Sequence, residues 1–202
     1  MSGDHYFTAA PAGPGERRPL HVDLAGRHLQ LQTAGGIFSP DRVDAGTQVL
    51  LREAPEPPRQ GALLDLGCGW GPVALTLAIR SPHAIVYAVD VNERALDLVR
   101  ANAAALELTG VRACRPEDVP ADVRFAAIWS NPPIRVGKAV LHEMLQTWLP
   151  RLEAGGAAYL VVQKNLGSDS LQRWIAAEVD GMRCDRFATD KGYRVLRVSR
   201  AA

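Results

Sequence analysis

The stretch Asp65-Leu66-Gly67-Cys68-Gly69-Trp70-Gly71-Pro72 decides the fold. Ahead of it, Leu63, Leu64 and Leu66 form a short apolar run. Behind it, Val73, Leu75, Leu77 and Ile79 lie on a helical segment. Strand, glycine-rich turn and helix in that order make the first half of a βαβ unit. Glycines at alternate positions let the chain turn tightly and let a ligand approach the main chain. In an open parallel sheet such a turn lies at the C-terminal edge of the strands, where ligands bind. The dinucleotide fingerprint G-x-G-x-x-G fails here, because the sixth residue counted from Gly67 is Pro72. Asp65 is also wrong for it: a carboxylate before the loop suits a positively charged ligand end and repels a pyrophosphate. The competing reading is a turn that only connects strand and helix.

Outward from this stretch the pattern repeats. Apolar runs at 85–89, 111–114, 125–130 and 157–163 read as strands, and 92–106, 138–149 and 168–179 as helices. That alternation predicts an α/β fold with a mostly parallel sheet covered on both faces. The last two strands, near 184–188 and 193–198, are separated by Thr189, Asp190, Lys191 and Gly192, too few residues for a crossover, so this pair is antiparallel. Upstream, Leu20, Val22 and Leu24, then Leu29 and Leu31, alternate with polar residues around Ala25-Gly26, which predicts a β-hairpin. Ser39-Pro40-Asp41 reads as a helix start, with the helix running to about Glu53; the proline-rich 54–61 follows as an extended connector. The organisation expected is a flexible lead-in over 1–19, a hairpin, helix and connector over 20–61, and the sheet domain over 62–202.

Composition narrows the function. The 202 residues are 47% hydrophobic with a formal net charge of +1, which excludes disorder and argues against a general electrostatic nucleic-acid binder. No apolar run reaches the ~20 residues of a membrane span, and Met1-Ser2-Gly3-Asp4 begins no secretory signal, so the chain reads as cytoplasmic. Cys68, Cys114 and Cys184 are scattered and the five histidines show no ligand spacing, so reduced thiols and no metal are expected.

Two further acids follow strands. Asp90 lies about 20 residues past the glycine loop, where a carboxylate accepts from both hydroxyls of a ribose. It also sits where a helix N-cap belongs, though Asn92 can take that part. Asp118 suits an adenine amino group or a turn before Pro120.

Taken together, Asp65 to Gly71, Asp90 and Asp118 resemble the class I methyltransferases that use S-adenosylmethionine. Asn131-Pro132-Pro133-Ile134, closing the fourth strand of the domain, resembles the [DN]-P-P-[YFWI] signature of enzymes that methylate amino nitrogens. With Gly36-Ile37-Phe38-Ser39, Asp44-Ala45-Gly46-Thr47, Val162-Gln163-Lys164 and Lys191-Gly192-Tyr193, the chain resembles the small-methyltransferase family typified by the C-type 16S ribosomal RNA guanine-N2 methyltransferases. The resemblance runs from His5-Tyr6-Phe7 to the last strand and covers the catalytic half of those enzymes, which carry an additional N-terminal half that helps engage RNA. It implies a Rossmann-like sheet of seven strands, S-adenosylmethionine as cofactor and an RNA, ribosomal or in an assembly particle, as partner.

The resemblance also implies roles. Asp65, Gly67, Gly69 and Gly71 hold the aminoacyl end of the cofactor, with Gly46 and Thr47 near it; Asp90 holds the ribose and Asp118 the adenine. Asn131 and Pro132 act on the amine. The lone pair of an exocyclic amine is delocalised into its ring, and two acceptors gripping its N–H bonds favour a pyramidal, nucleophilic nitrogen. The Asn131 side-chain oxygen and the Pro132 carbonyl are the candidates, stiffened by two prolines that fix φ. Pro133, Ile134, Arg135 and Lys164 are assigned to the substrate. Ile134 stands where an aromatic ring often stacks on the base; Phe38 either replaces that ring or packs in the core. Lys138, Lys191 and Arg194 are further candidate phosphate contacts. Rival readings are a protein glutamine-amide methyltransferase, which normally has Tyr after Asn-Pro-Pro, a non-catalytic RNA-binding module, and an NAD(P) oxidoreductase.

Overall fold

Alternation at Arg18–Leu24 (β1) and Arg27–Thr33 (β2) closes into an antiparallel hairpin, with Leu20 opposite Leu31 and Val22 opposite Leu29. Its two-residue turn, Ala25 and Gly26, has positive φ at both positions, matching the strand twist. The computed structural model describes residues 16–200. Most of the lead-in, with His5-Tyr6-Phe7, therefore lies outside the described residues; β1 starts inside the stretch expected to be lead-in.

The seven-stranded sheet comprises β3 (Gln60–Leu66), β4 (His83–Val89), β5 (Val111–Cys114), β6 (Phe125–Ser130), β7 (Leu152–Gln163), β8 (Met182–Asp190) and β9 (Tyr193–Arg200). Their spatial order is β5-β4-β3-β6-β7-β9-β8, parallel except for β9, which runs against both its neighbours. The order turns back between β3 and β6, which makes the crevice outside their C-terminal ends the ligand position. Asp65 pairs with Trp129 across that line, so the glycine turn and the Asn-Pro-Pro corner emerge side by side.

The helices are α1 (Ala45–Glu53), α2 (Pro72–Arg80), α3 (Glu93–Ala105), α4 (Lys138–Trp148) and α5 (Ser168–Glu178). Successive β3 residues serve opposite layers. Leu63 packs with Leu50 of α1, Leu77 of α2 and Val99 of α3, while Leu64 packs with Leu145 of α4 and Ile175 of α5. Each fully buried Leu contributes about 1.5–3 kcal/mol. The hairpin forms its own sheet and is clamped to α3 by the buried Asn102. The Asn102 amide donates to the Gln32 carbonyl at 3.0 Å, and its oxygen accepts the Gln32 N–H at 2.7 Å. Among the described residues, no helix is long and apolar enough to cross a membrane.

Three expected boundaries are corrected. Helix α1 begins at Ala45, not at Ser39. Asp44 is its N-cap, its Oδ2 accepting from the N–H groups of Gly46 (2.8 Å) and Thr47 (3.2 Å). Ser39 has φ 48° and its hydroxyl donates to the Arg42 carbonyl, which closes a turn instead of a cap. Strand β7 begins at Leu152 rather than near Ala157, because Gly155, at φ 80°, lets the strand bulge and resume its pairing with β6. The last connection is the two residues Lys191 and Gly192, both at positive φ, since Thr189 and Asp190 are already paired in the ladder.

Candidate active site

The glycine turn is held by its own backbone. Gly67 and Cys68 N–H groups both donate to the Val89 carbonyl, at 2.8 and 3.0 Å, and Gly71 N–H donates to the Cys68 carbonyl. Gly67, Gly69 and Gly71 all have positive φ. A Cβ on Gly67 or Gly69 would meet nothing within 4 Å, so their conformation alone calls for glycine and the main chain stays bare toward the crevice. At Gly71 the demand is packing: a Cβ there would lie 3.0 Å from Val99 Cγ2 of α3.

Asp65 is 1% exposed and its Oδ2 accepts the Ala74 N–H at 2.8 Å, at the start of α2. Burial pushes its pKa from 3.8 to about 8, Asp90 adds to the rise, and the Ala74 bond opposes it. The side chain is thus mostly protonated at neutral pH.

Asp90 is tied to the same turn. Its Oδ2 accepts the Gly69 N–H at 2.9 Å and its Oδ1 the Asn92 N–H at 2.9 Å. Burial raises its pKa, and the bonds from Asn92, Gly69 and Val91 pull it back. Capping of α3 falls to Asn92, whose Oδ1 accepts from Arg94 and Ala95. Asp118 is the exception among the acids. It sits exposed on a single 3₁₀ turn, Pro116–Asp118, and at that level the cleft is bordered by Pro116.

The Asn-Pro-Pro corner departs from expectation in one respect. Pro133, at φ −75° and ψ 74°, forms an inverse γ-turn in which Ile134 N–H donates to the Pro132 carbonyl at 2.8 Å. That oxygen keeps only a second lone pair for a substrate. Asn131 is gripped from α1. Its Nδ2 donates to Asp44 Oδ2 at 2.8 Å and to Thr47 Oγ1 at 3.1 Å. A Cβ on Gly46 would lie 3.3 Å from that nitrogen and 3.0 Å from Tyr193 Cε1, so glycine permits the approach of α1 to the corner. Asp44 and Tyr193 join the site without having been singled out in the sequence, although they belong to the quoted segments Asp44-Ala45-Gly46-Thr47 and Lys191-Gly192-Tyr193. Burial raises the Tyr193 pKa, the charge of Asp44 raises it further and Arg135 lowers it, which places all three in one electrostatic neighbourhood.

These groups border a cleft of about 680 Å³, within the ~300–1,000 Å³ typical of small-molecule sites. Phe38, Asp90, Asn131, Ile134, Met144 and Tyr193 face it, together with Gly67, Gly69, Pro132, Pro133 and the exposed Arg135. A recess of about 30 Å³ adjoins it between Asp44, Thr47, Asp65 and Asn131. Phe38 is 39% exposed, which rules out a core position. Lys164 is exposed and outside the cleft wall, although Gln163 and Leu166 belong to it. Arg194 is no free phosphate contact: it pairs with Asp169 and donates to Ser168 Oγ. The tryptophans pack: Trp70, Trp129 and Trp148 are buried, and the Trp70 indole donates to the Ser39 carbonyl.

The family model of the methyltransferase small domain matches residues 28–197. Among curated proteins the chain is 33% identical over 170 residues to the uncharacterized protein YbxB of Bacillus subtilis, covering 83% of this chain and 85% of that one. It is 36% identical over 149 residues to ribosomal RNA small subunit methyltransferase C of Klebsiella pneumoniae, covering 74% of this chain and 40% of that protein. Against the methyltransferase C of Stutzerimonas stutzeri it is 30% identical over 205 residues and spans 58% of the length. Among solved structures, the Thermus thermophilus 16S rRNA N2 G1207 methyltransferase (RsmC), in complex with AdoMet and guanosine, superposes with a TM-score of 0.75 at 25% identity, covering 92% of this chain and 51% of that one.

Proposed function

The chain belongs to the methyltransferase small domain family, and from that premise we propose that it moves a methyl group from S-adenosylmethionine to an exocyclic amine of a nucleic-acid base, guanine N2 of ribosomal RNA. The residues present fit that cofactor. A buried carboxylate kept protonated by desolvation, Asp65, borders a recess beside bare glycine backbone, where a cationic amino group would restore its charge. Asp65, Gly67 and Gly69 would hold the aminoacyl end, with Gly46 and Thr47 close by and Gly71 fixing the loop on α3. Asp90 would take the ribose with its remaining lone pairs. Asp118, exposed on the turn that begins at Pro116, would take the adenine amino group where Pro116 and Val91 border the cleft.

When bound, the cofactor supplies an electrophilic methyl group on a sulfonium. The chain's own residues then have two tasks. Asn131 Oδ1 accepts one amine N–H and the remaining lone pair of the Pro132 carbonyl accepts the other, which keeps the nitrogen pyramidal and stabilises the positive charge that develops on it. This is positioning and electrostatic complementarity. Phe38 offers a face to the base, worth ~1–3 kcal/mol, and Pro133 and Ile134 close the other wall. Arg135 lies at the rim where a phosphate of the RNA, free or in an assembly particle, would pass. Residues 20–61, set apart in the sequence from a 62–202 catalytic unit, supply Phe38, Asp44 and Thr47 to this site.

One observation carries the reading: the Asn131 amide nitrogen is engaged by Asp44 and Thr47, while its oxygen takes no hydrogen bond among the described residues and the residue borders the cleft. Asn131→Ala should lower turnover by ~10²-fold or more with the affinity for S-adenosylhomocysteine nearly intact. Nucleoside mass spectrometry of ribosomal RNA from cells with and without the gene should reveal a lost N2-methylguanosine. An unchanged nucleoside profile, or full activity of Asn131→Ala, refutes the proposal.

A further inference from the structure

We propose that Asp44 is a positioning residue that sets the orientation of the Asn131 amide and thereby requires an amide, not a carboxylate, at position 131; the functional part of this inference rests on the amine-methylation reading above. Three N–H groups converge on one oxygen, Asp44 Oδ2: Gly46 at 2.8 Å, Thr47 at 3.2 Å and Asn131 Nδ2 at 2.8 Å. A carboxylate only accepts, so the Asn131 NH₂ must face it. The second amide hydrogen goes to Thr47 Oγ1 at 3.1 Å. With both hydrogens committed, the side chain cannot rotate by half a turn without presenting its oxygen to a carboxylate. Oδ1 is therefore the acceptor left to the cleft, and it takes no hydrogen bond among the described residues.

The cap ties this orientation to the fold. Asp44 is fixed by two backbone N–H groups of α1, and the absence of a Cβ at residue 46 leaves room for α1 against the corner. A carboxylate at position 131 would put two acids in contact, and one must then hold a proton or the corner must open. The signature [DN]-P-P admits either residue, and Asp44 is the local reason for the amide in this chain.

The test is a double-mutant cycle read in two arms. The variants are Asp44→Asn, Asn131→Asp and the pair together. Asp44→Asn still caps α1, since asparagine and aspartate are comparable N-caps. In the double variant the oxygen that caps α1 belongs to a neutral amide, so the carboxylate introduced at position 131 meets no second charge; it accepts from the Thr47 hydroxyl and its other oxygen faces the cleft. The first arm needs no substrate: the full chain is melted, and the Asn131 side-chain NH₂ signals are followed by NMR, assigned by their loss in Asn131→Ala. Asn131→Asp should lower Tm and the double variant should regain most of the loss; in Asp44→Asn the two amide protons should exchange faster. The second arm is methyl transfer to ribosomal RNA with S-adenosylhomocysteine affinity as control. Asn131→Asp should lose kcat, and the double variant should exceed the product of the single effects by ~10-fold or more, the coupling expected of groups sharing one hydrogen-bond network.

Additive Tm effects with unchanged amide exchange overturn the orientation whatever the substrate is. A coupled Tm with additive kcat, in an enzyme that methylates RNA, overturns the positioning role. A coupled Tm and slowed amide exchange in a wild type that methylates no nucleic acid uphold the orientation and refute the amine-methylation reading instead.

Discussion

Asp65 makes the sharpest test of the site's electrostatics. Burial lifts its pKa from 3.8 to about 8 in the ligand-free fold, so the folded chain keeps a proton that the unfolded chain has released. Stability from this group is fully present below pH 3.8 and is lost as pH rises toward 8, because the folded state binds the extra proton throughout that window. At 1.36 kcal/mol per pKa unit, the loss between pH 5 and pH 8 is on the order of 4 kcal/mol. For a chain of this size each kcal/mol moves Tm by about 2–4 °C, so the effect is on the order of 10 °C. Asp65→Asn keeps an oxygen for the Ala74 N–H but does not titrate. Thermal unfolding by circular dichroism, ligand-free, from pH 5 to 8 should give a difference Tm(Asp65→Asn) minus Tm(wild type) that grows with pH by roughly that amount; titrations common to both proteins cancel. Binding of a cationic amino group beside Asp65 should also release up to one proton at pH 7, seen by calorimetry in buffers of different ionisation enthalpy and absent from the variant. A pH-independent Tm difference with no proton release would show that Asp65 is ionised in the free protein and that the reasoning is wrong.

Two further outcomes follow from the geometry. Asp90→Ala removes the ribose contact, a hydrogen bond to a carboxylate worth about 1.5–3 kcal/mol, so S-adenosylhomocysteine should bind ~10-fold or more weakly, while the loss of the acceptor for Gly69 and Asn92 N–H lowers stability; an unaltered dissociation constant in equilibrium dialysis counts against the ribose role. Phe38→Ala should raise KM for the RNA by ~5–100-fold, the equivalent of one lost stacking contact, with cofactor affinity preserved; an unchanged KM removes Phe38 from the base site.

The sheet was legible in the sequence because its strands are consecutive apolar runs, each followed by a helix of matching length, and because four residues after 188 are too few for a crossover. The placement of Asp65, the glycines, Asp90 and Asn131 at strand ends was legible because turn chemistry is local. The start of α1 was not. Ser39-Pro40-Asp41 carries every local mark of a helix start, and what defeats it is distant: the Asn92 and Arg94 side chains donate to the Gly36 and Gly35 carbonyls and Trp70 to that of Ser39, holding residues 34–43 as an irregular strap. Asp44 was hidden for the same reason, since its partner Asn131 lies 87 residues away. The prolines correctly announced a fixed corner, but the capture of the Pro132 carbonyl by Ile134 N–H depends on the ψ of Pro133, which proline does not fix.

The strap also explains how a hairpin outside the main sheet bears on chemistry at its edge. An acceptor that must meet an amine has to be held to within about 0.5 Å, and supporting groups set that tolerance. Asn131 is oriented by Asp44, and Asp44 ends a stretch without regular hydrogen bonding of its own. Its place is set from both sides, by the α1 N–H groups that it caps and by the side chains that hold the strap, and two of these, Asn92 and Trp70, belong to the segments that Asp90 and the glycine turn arrange. The carboxylate proposed to hold the ribose and the amide proposed to hold the amine thus share one hydrogen-bonded frame: Asp90 to Asn92 to Gly36, along the strap to Asp44, and on to Asn131. Segment 34–44 is a structural part of the site, and a substitution that loosens Asn92 should blur the Asn131 corner although the two side chains do not touch.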